Sequence, residues 1–525
     1  MKSYINHLKT TRSFGETLPK NYKPTMRSSA TFPIQYRAGQ LDTICTFMGY
    51  WLLKRNIEKV TAIITIRNKD GEKIKVESHV IDSTKSYVFK ASQFLKKHKP
   101  KSFLGSFEIE IFSAVDMVFP YPAITFSFES KLGKTFVHTC GRIYNDFDDL
   151  SQNNNQIVPE SGFDLYLDKK YEPFFSFING PITNNGKKYE IEIIDKKGFK
   201  KKFSRKLKKM KPFSTAWIPI FLKEHERKGF SGEKVSIKIK HNFEGFFPRF
   251  VAGNIYDSYK AISLTHSYYD TSDDQNPHSI YKNPDKKNYS DSTVSVPIDN
   301  RFDAIELVVY PNLKKKSTNL EFLFFDKKGV FKFQSSNVIE IANNTKNIKY
   351  IDLLDLIEQE GQKLEFGHCK VVFDGHGAVP TRIKLGLNFS RASKKHNLPS
   401  NICFNANVPN KNLTKKPSTF KWCTVFSAKK QMIYLMNSSF VKKYSQNAHV
   451  KAKLWRELDD KHLKLNFKIN ANGVINIFDS LEKRLENFLG KNGIGWITLE
   501  CNSPFVSGFY VTDFGKGVIG ADHLY

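Results

Sequence analysis

Three histidines share one setting in this sequence, because each follows an apolar run that has the pattern of a β-strand end. They are His138 in "FVHTCGRIYND", His266 in "ISLTHSYYD" and His523 in "GADHLY". Imidazole nitrogens bind transition metals and also act as general acids or bases near neutral pH. The three positions are therefore candidates for metal binding or for proton transfer.

Carboxylates lie close to these histidines, in a chain of 525 residues with a net charge of +30. They are Asp146, Asp148 and Asp149 after His138, Asp270, Asp273 and Asp274 after His266, and Asp522 beside His523. Carboxylate oxygens suit Ca²⁺, although the spacing is not that of an EF-hand loop. One interpretation is a Ca²⁺ site at each junction between modules, with a histidine taking a transition metal, and such cations would stiffen the chain into a rod. The structural interpretation is that His and Tyr cap a strand and that Asp forms turns.

An internal repeat places these residues in an architecture, and a repeat decides the fold. Four apolar runs end at an asparagine: "YWLLKRN" at Asn56, "FFSFIN" at Asn179, "LVVYPN" at Asn312 and "MIYLMN" at Asn437. An alternating run follows each of them, and its period of two residues predicts a strand with one buried face.

Turns and further strands complete each repeat. "NKDG" at 68–71 and "DKKG" at 195–198 and again at 326–329 predict hairpins, whereas the fourth repeat has "ELDDKHLKL" without the glycine. A glycine, an alternating strand and a proline come next, before closing strands that end at the three histidines. The third repeat instead ends in "NICFNAN", with Asn405 near the corresponding place.

Repeats of about 110 residues with short, evenly spaced strands predict an all-β protein. The expected architecture is four tandem antiparallel β-sandwich modules of immunoglobulin-like size, with short crossover helices. The modules are expected at 39–146, 158–270, 293–408 and 418–525, after an N-terminal arm at 1–38, and helices are expected at 350–361 and 480–490. This order of signals resembles bacterial tandem β-sandwich modules in a general way, which implies no specific function.

The positive charge has two explanations. Lys, Asn, Ile and Phe all have AT-rich codons, so a genome of low GC content accounts for much of the charge. The densest basic stretch, 196–212, is expected to protect an exposed sheet edge. Nucleic acid is therefore not the expected partner, and a nonspecific nucleic-acid binder is a third hypothesis.

Cysteine usage and hydropathy indicate the compartment. Six widely spaced cysteines without a CxxC pair indicate reduced, mostly buried thiols. The amino terminus lacks the apolar core of a secretory signal, and no run of 18 apolar residues occurs. These features predict a soluble cytoplasmic protein without a transmembrane segment, with leaderless export to the cell surface as an alternative.

Two classes of function fit these features. The first is a noncatalytic binding or structural protein for an acidic cell-envelope glycan or a protein partner, with contacts from Tyr268, Tyr269, Arg249 and Arg382. The alternative is a metal-dependent enzyme of cell-envelope polysaccharide metabolism, with its site at a module junction. In that case His138 or His266 and the neighbouring aspartates would be metal ligands or acid and base.

Overall fold

The protein is predominantly β and consists of several antiparallel sheets. The computed structural model describes residues 25–55, 57–117, 123–138, 141–142, 160–230, 234–246, 249–269, 280–310, 317–341, 348–380, 383–406, 408–409, 418–427, 430–479 and 482–525. The sheets fall in four consecutive parts of the chain. We call these segment 1 (25–138), segment 2 (160–269), segment 3 (280–405) and segment 4 (419–523).

The elements of each segment are as follows. Segment 1 contains β1 (Thr25–Arg37), β2 (Leu41–Met48), α1 (Tyr50–Arg55), β3 (Val60–Asn68), β4 (Lys73–Ile81), β5 (Ser86–Lys90), α2 (Ala91–Phe94), β6 (Ser102–Met117), β7 (Ile124–Ser130) and β8 (Lys134–His138). Segment 2 contains β9 (Glu160–Tyr166), β10 (Tyr171–Ile178), β11 (Lys188–Asp195), β12 (Lys200–Lys206), β13 (Thr215–Pro219), α3 (Glu224–Arg227), β14 (Lys234–His241), β15 (Val251–Tyr256), β16 (Ala261–Ile262), β17 (Thr265–His266) and β18 (Tyr268–Tyr269). Segment 3 contains β19 (Ile280–Lys282), β20 (Ser292–Asp299), β21 (Ala304–Val309), β22 (Thr318–Asp326), β23 (Phe331–Gln334), β24 (Ile339–Ile341), β25 (Lys349–Asp352), α4 (Leu353–Gln359), β26 (Phe366–Asp374), β27 (Ala378–Pro380), β28 (Lys384–Ser390) and β29 (Ile402–Asn405). Segment 4 contains β30 (Thr419–Phe426), β31 (Lys430–Asn437), β32 (Ala448–Trp455), β33 (His462–Ile469), β34 (Val474–Asn476), α5 (Glu482–Leu489), β35 (Ile494–Cys501), β36 (Val506–Asp513) and β37 (Ile519–His523).

One strand order recurs in all four segments. The first sheet runs β4-β3-β6-β1, β12-β11-β14-β9, β23-β22-β26-β20 and β33-β32-β35-β30 in segments 1 to 4. The second sheet runs β5-β2-β7-β8, β13-β10-β15 followed by β16 and β17, β25-β21-β28-β29 and β34-β31-β36-β37. In segment 1 the two sheets are continuous, because β1 also pairs with β2 at Arg37 and Leu41. The sequence repeat therefore corresponds to a repeated topology.

The two sheets of a segment enclose an apolar core. In segment 2, Phe163 and Ile237 of the first sheet pack with Phe175 and Ala252 of the second, and all four side chains are buried. This arrangement is what the alternating pattern predicts, since each strand places every second side chain on the inner face.

The second sheet of each segment is buried on its outer face as well. Ile44 and Phe136 of segment 1 belong to the core cluster of segment 4, and Val251 of segment 2 belongs to that of segment 1. Tyr434 and Phe509 of segment 4 lie in the cluster of segment 3. Packing between segments therefore follows a consistent direction around the molecule.

Backbone hydrogen bonds repeat the same direction. The amide of Thr215, at the start of β13, donates to the Lys69 carbonyl in the hairpin turn of segment 1 (2.9 Å), and Val474 of segment 4 donates to Lys327 of segment 3 in the same way (3.2 Å). The amide of Ser86 in segment 1 donates to the Arg456 carbonyl of segment 4 (2.9 Å). This last bond joins segment 1 to segment 4.

Buried tyrosine–aspartate pairs connect neighbouring segments at two further interfaces. We call an interface between two segments a seam. The Tyr310 hydroxyl of segment 3 donates to Asp164 of segment 2, and the Tyr434 hydroxyl of segment 4 donates to Asp299 of segment 3 (2.7 Å). At the seam between segments 4 and 1, Thr424 and Thr46 form a hydroxyl pair (3.3 Å). The segments thus close into a ring, and the rod expected from cations between successive modules is not what forms.

Several local expectations are confirmed and one region differs. The helices expected at 350–361 and 480–490 are α4 and α5. Residues 25–37, which the sequence analysis assigned to an N-terminal arm, form β1 and pair with β6 along twelve residue pairs. Residues 1–24 lie outside the described residues.

The basic stretch and the cysteines have the expected settings. β12 pairs only with β11 at the edge of its sheet, and Lys200 and Lys202 form ion pairs with Glu192 (2.7 and 3.2 Å). Cys45, Cys369, Cys423 and Cys501 are buried free thiols, Cys403 is also buried, and Cys140 lies outside the described residues. Within the described ranges, no helix has the length and apolarity needed to cross a bilayer.

The hairpin turn of segment 3 offers a test of the seam between segments 3 and 4. Gly329 has φ +84°, and a Cβ there would overlap the Ala471 carbonyl of segment 4, whereas Gly361 has φ +63° and open space around it. Both Gly→Ala changes cost about 1–2 kcal/mol for the left-handed backbone. We expect Gly329→Ala to cost a further 1–3 kcal/mol or so because backbone must shift. Urea denaturation of both variants measures the difference, and equal losses would mean that the seam does not form.

A buried histidine at the same seam gives a pH dependence. His368 bonds to the Asn472 carbonyl through Nε2 (2.7 Å), and burial lowers its pKa to about 4. The unfolded chain binds this proton near pH 6.5 and the folded chain does not, so stability falls as the pH drops from about 6.5 to about 4. Replacing His368 by Gln should reduce that slope by up to about 1.4 kcal/mol per pH unit, measured by denaturation at several pH values. An unchanged slope in His368→Gln would contradict the assignment.

Candidate functional site

The end of the second sheet brings one residue from each segment to a corresponding ladder position. The last strand of each second sheet pairs with its neighbour at Thr125–His138, Val251–His266, Lys384–Asn405 and Phe509–His523. The strand beyond contributes Thr46, Ser176, Tyr310 and Tyr434 to the same rungs. Asn405 thus occupies in segment 3 the place that a histidine holds in the other three.

These positions converge because the segments form a ring. The ring centroid of His138 lies 4.6 Å from that of His266 and 4.9 Å from that of His523. One potential ligand nitrogen from each of the three histidines lies within 4.8 Å of the other two. The sequence analysis placed such residues at separate junctions, whereas the structure gathers them at one centre.

Each histidine is oriented through its Nδ1 atom. His138 Nδ1 lies 3.0 Å from Asp522 Oδ2, His266 Nδ1 lies 3.2 Å from the Ser267 carbonyl, and His523 Nδ1 lies 3.1 Å from the Leu524 carbonyl. A carboxylate or a carbonyl oxygen only accepts, so Nδ1 is the protonated nitrogen of each ring in its neutral form. Nε2 is then the atom with the free electron pair.

Asp522 joins β37 of segment 4 to β8 of segment 1. Its carboxylate accepts hydrogen bonds from the backbone amide of His138 (2.9 Å), from the Tyr525 hydroxyl (3.0 Å) and from the amide of His523 (2.8 Å). Burial raises the pKa of this carboxyl, but attraction to His138 and the hydrogen bonds outweigh burial, so the pKa lies below its usual range. Asp522 is therefore a buried anion at neutral pH.

Burial sets the protonation of the other two rings. Burial and then the charge of Arg249 hold the pKa of His266 well below its usual range. Burial lowers the pKa of His523 to about 4, and the Asp522 carboxylate opposes this shift only in part. Both rings are neutral at pH 7, which is the form that binds metals and accepts protons.

A cavity of about 380 Å³ opens beside the histidines. Arg249, Lys384 and Lys421 line it together with Asn405, and the buried rings of Phe404 and Phe509 form an apolar part of its wall. No carboxylate belongs to its lining within the described part of the chain. Such a cavity suits a small ligand that carries negative charge.

The residues selected from sequence have different outcomes. His138, His266, Asp522, His523 and Arg249 meet at this centre. Tyr268 and Tyr269 form β18 and pair with Gly162 and Ser161 of β9, but their side chains lie outside the described residues. Other selected residues also lie outside them, namely Asp146, Asp148, Asp149, Asp270, Asp273, Asp274 and Arg382. The expected Ca²⁺ ligation by those aspartates stays a prediction.

The sequence analysis missed Lys384 and Lys421. Lys384 is 8% exposed and begins β28, whose other residues are buried. A lysine beside the apolar run "LGLNF" was the available signal, because a buried lysine is costly without an anionic or polar partner. Lys421 lies in the half-buried first part of β30 and gave no comparable signal.

Comparisons with known proteins do not assign a family. No family model and no curated protein matches the chain. A calcium-binding mutant of β-glucuronidase 2 from Bacteroides uniformis aligns with 48% of this chain and 27% of its own length, at 10% identity and a TM-score of 0.13. A tetra-tandem repeat from the extending region of a large adhesion protein aligns with 89% of this chain and 90% of its own, at 8% identity and a TM-score of 0.09. At these TM-scores neither alignment carries an argument about fold or function.

The Asp522 carboxylate gives the test of this seam. In Asp522→Asn the side chain loses its charge and presents an amide N–H group toward donors, so we expect a loss of about 2–4 kcal/mol in unfolding free energy. Asp257→Asn, which removes an exposed partner of Lys260, should change stability little. Guanidinium denaturation at pH 7 compares them, and similar losses in the two variants would contradict the role of Asp522.

Proposed function

We propose that the chain consists of four copies of one eight-stranded β-sandwich module, of immunoglobulin-like size, and that it is a noncatalytic binding protein. The common strand order and the repeated seam bonds support the count of four. The modules would act together through the centre of the ring, because the residues that line the cavity come from all four segments.

The observation that carries the proposed activity is the charge of the cavity. Arg249, Lys384 and Lys421 line it without a carboxylate among the described lining residues. Asn405 and the Ser267, Ser295 and Ser507 residues add polar groups for hydroxyls. We therefore propose that the cavity binds a small acidic group, such as the uronate unit of an acidic glycan.

The dimensions favour one sugar unit over an extended polymer. Pockets for small ligands have volumes of roughly 300–1,000 Å³, and this cavity lies near the lower limit at about 380 Å³. Phe404 and Phe509 offer an apolar surface for a sugar ring beside the charged groups. The proposed ligand is thus a single acidic sugar unit, whereas an array that binds along its length would take an extended polymer.

A metal-dependent enzyme is a second candidate. The observation that favours it is that three histidines meet beside a cavity large enough for a substrate. A nonspecific nucleic-acid binder receives less support, because Lys200 and Lys202 of β12 form ion pairs with Glu190 and Glu192.

Calorimetric titration with glucuronate and with glucose tests the binding proposal. We expect glucuronate to bind and glucose to bind at least 10-fold more weakly, because a charge-assisted hydrogen bond contributes about 1.5–3 kcal/mol. Arg249→Gln should weaken glucuronate binding by about 10–100-fold for the same reason. Arg484→Gln on the exposed face of α5 is the matched control and should bind like the unaltered protein. Equal binding of the two sugars, or no effect of Arg249→Gln, would contradict the proposal.

A further inference from the structure

We propose that His138, His266 and His523 form a transition-metal site of the zinc class at the centre of the ring, with Nε2 of each ring as the ligand atom. The site stands without the acidic ligand proposed above, because it depends on the histidines and their hydrogen bonds alone. It would be assembled by segments 1, 2 and 4, so it exists only when the ring is closed.

The orientation of the rings is the first argument. A metal-binding histidine usually donates its other N–H group to a carboxylate or a carbonyl, which fixes the ring and makes the ligand nitrogen more basic. Here all three rings do so, His138 to a carboxylate and the other two to backbone carbonyls. If the histidines only capped their strands, nothing would require all three rings, which are distant in sequence, to donate through the same nitrogen.

The second argument is an unpaired polar atom. His266 is 5% exposed, and its Nε2 has no hydrogen-bond partner among the described residues. Leaving a buried acceptor unpaired costs about 1–3 kcal/mol. A cation between the three rings would bind this electron pair and those of His138 and His523 together.

The distances allow a metal after a small adjustment. With Zn–N bonds of about 2.0–2.1 Å, the ligand nitrogens of a tetrahedral site lie about 3.3 Å apart. One nitrogen from each of the three rings here lies within 4.8 Å of the other two. Rotation of the rings about their side-chain bonds moves the nitrogens closer together. A shift of a fraction of an ångström to about 1 Å at each nitrogen gives the tetrahedral separation.

The donor atoms select the kind of metal. Imidazole nitrogen suits zinc, copper, iron or nickel, whereas Ca²⁺ requires several oxygen ligands. Three protein ligands leave at least one position of the metal open, and the adjacent cavity provides access to it. This is the arrangement of a metal that binds an exogenous ligand, whereas a purely structural zinc ion has four protein ligands.

The surrounding charges indicate what occupies the open position. Arg249, Lys384 and Lys421 line the cavity beside the histidines, and the Asp522 carboxylate bonds to His138. An anion on the metal would face these three cationic side chains. Metal and acidic ligand should therefore strengthen each other's binding, since coupling between two sites is reciprocal.

Metal analysis of the full chain tests the site. Protein purified without chelators, and metal-free protein titrated with Zn²⁺ and with Co²⁺, should bind one ion per chain with a Kd below about 1 μM. His266→Gln should weaken binding by about 100-fold or more. His241→Gln, which alters a buried histidine away from the centre, should bind like the unaltered protein.

A second readout does not depend on any variant. X-ray absorption of the zinc-loaded, unaltered protein should show three imidazole ligands, and bound zinc should raise the melting temperature. Absence of stoichiometric binding, unaltered affinity in a folded His266→Gln variant, or a zinc shell without imidazole would each overturn the proposal. Failure of glucuronate to bind would leave these results unaffected. The metal-site proposal and the acidic-ligand proposal are therefore tested independently.

Discussion

The carboxylate of Asp522 joins the last strand of segment 4 to the last strand of segment 1, and the closed arrangement depends on this contact. It lies in β37 and accepts hydrogen bonds from the backbone and the ring of His138, at the end of β8. Asp522 is 3% exposed, so its charge depends on these hydrogen bonds and on those from the Tyr525 hydroxyl and the His523 amide. Their loss would weaken the contact between segment 1 and segment 4, which also includes the apolar packing of Ile44 and Phe136.

Closure explains how a repeated structure produces a single site. Each segment contacts the next through different surfaces, which is a head-to-tail interface, and such interfaces form a ring when the rotation closes. A ring brings corresponding positions to its centre. Three of them are histidines and the fourth is Asn405, while Lys384 pairs with Asn405 across the strands. Divergence at these few positions can create a ligand site without altering the sandwiches.

Much of the fold could be predicted from local sequence. Alternation located the strands, and the Asp-x-x-Gly turns located hairpins such as that at Gly329. The continuous apolar runs that end at Asn179 and Asn437 carried a further signal, because β10 and β31 are buried on both faces. β1 was missed because its first half, "TMRSSAT", is polar and Pro33 lies within it.

The site was predictable only in part. Strand ends with a histidine identified the residues, but their convergence depends on contacts between side chains far apart in sequence, such as Tyr310 with Asp164. No periodic pattern records such a contact. The same reason hid Lys384 and Lys421, whose role is defined by the cavity that the ring creates.

Small-angle X-ray scattering of the full chain in dilute solution tests the closed ring most directly. A compact chain of this length has a radius of gyration of about 24 Å, and the account predicts a value close to this. A radius roughly twice as large, as a row of four separate sandwiches would give, would contradict it and remove the basis for a common centre.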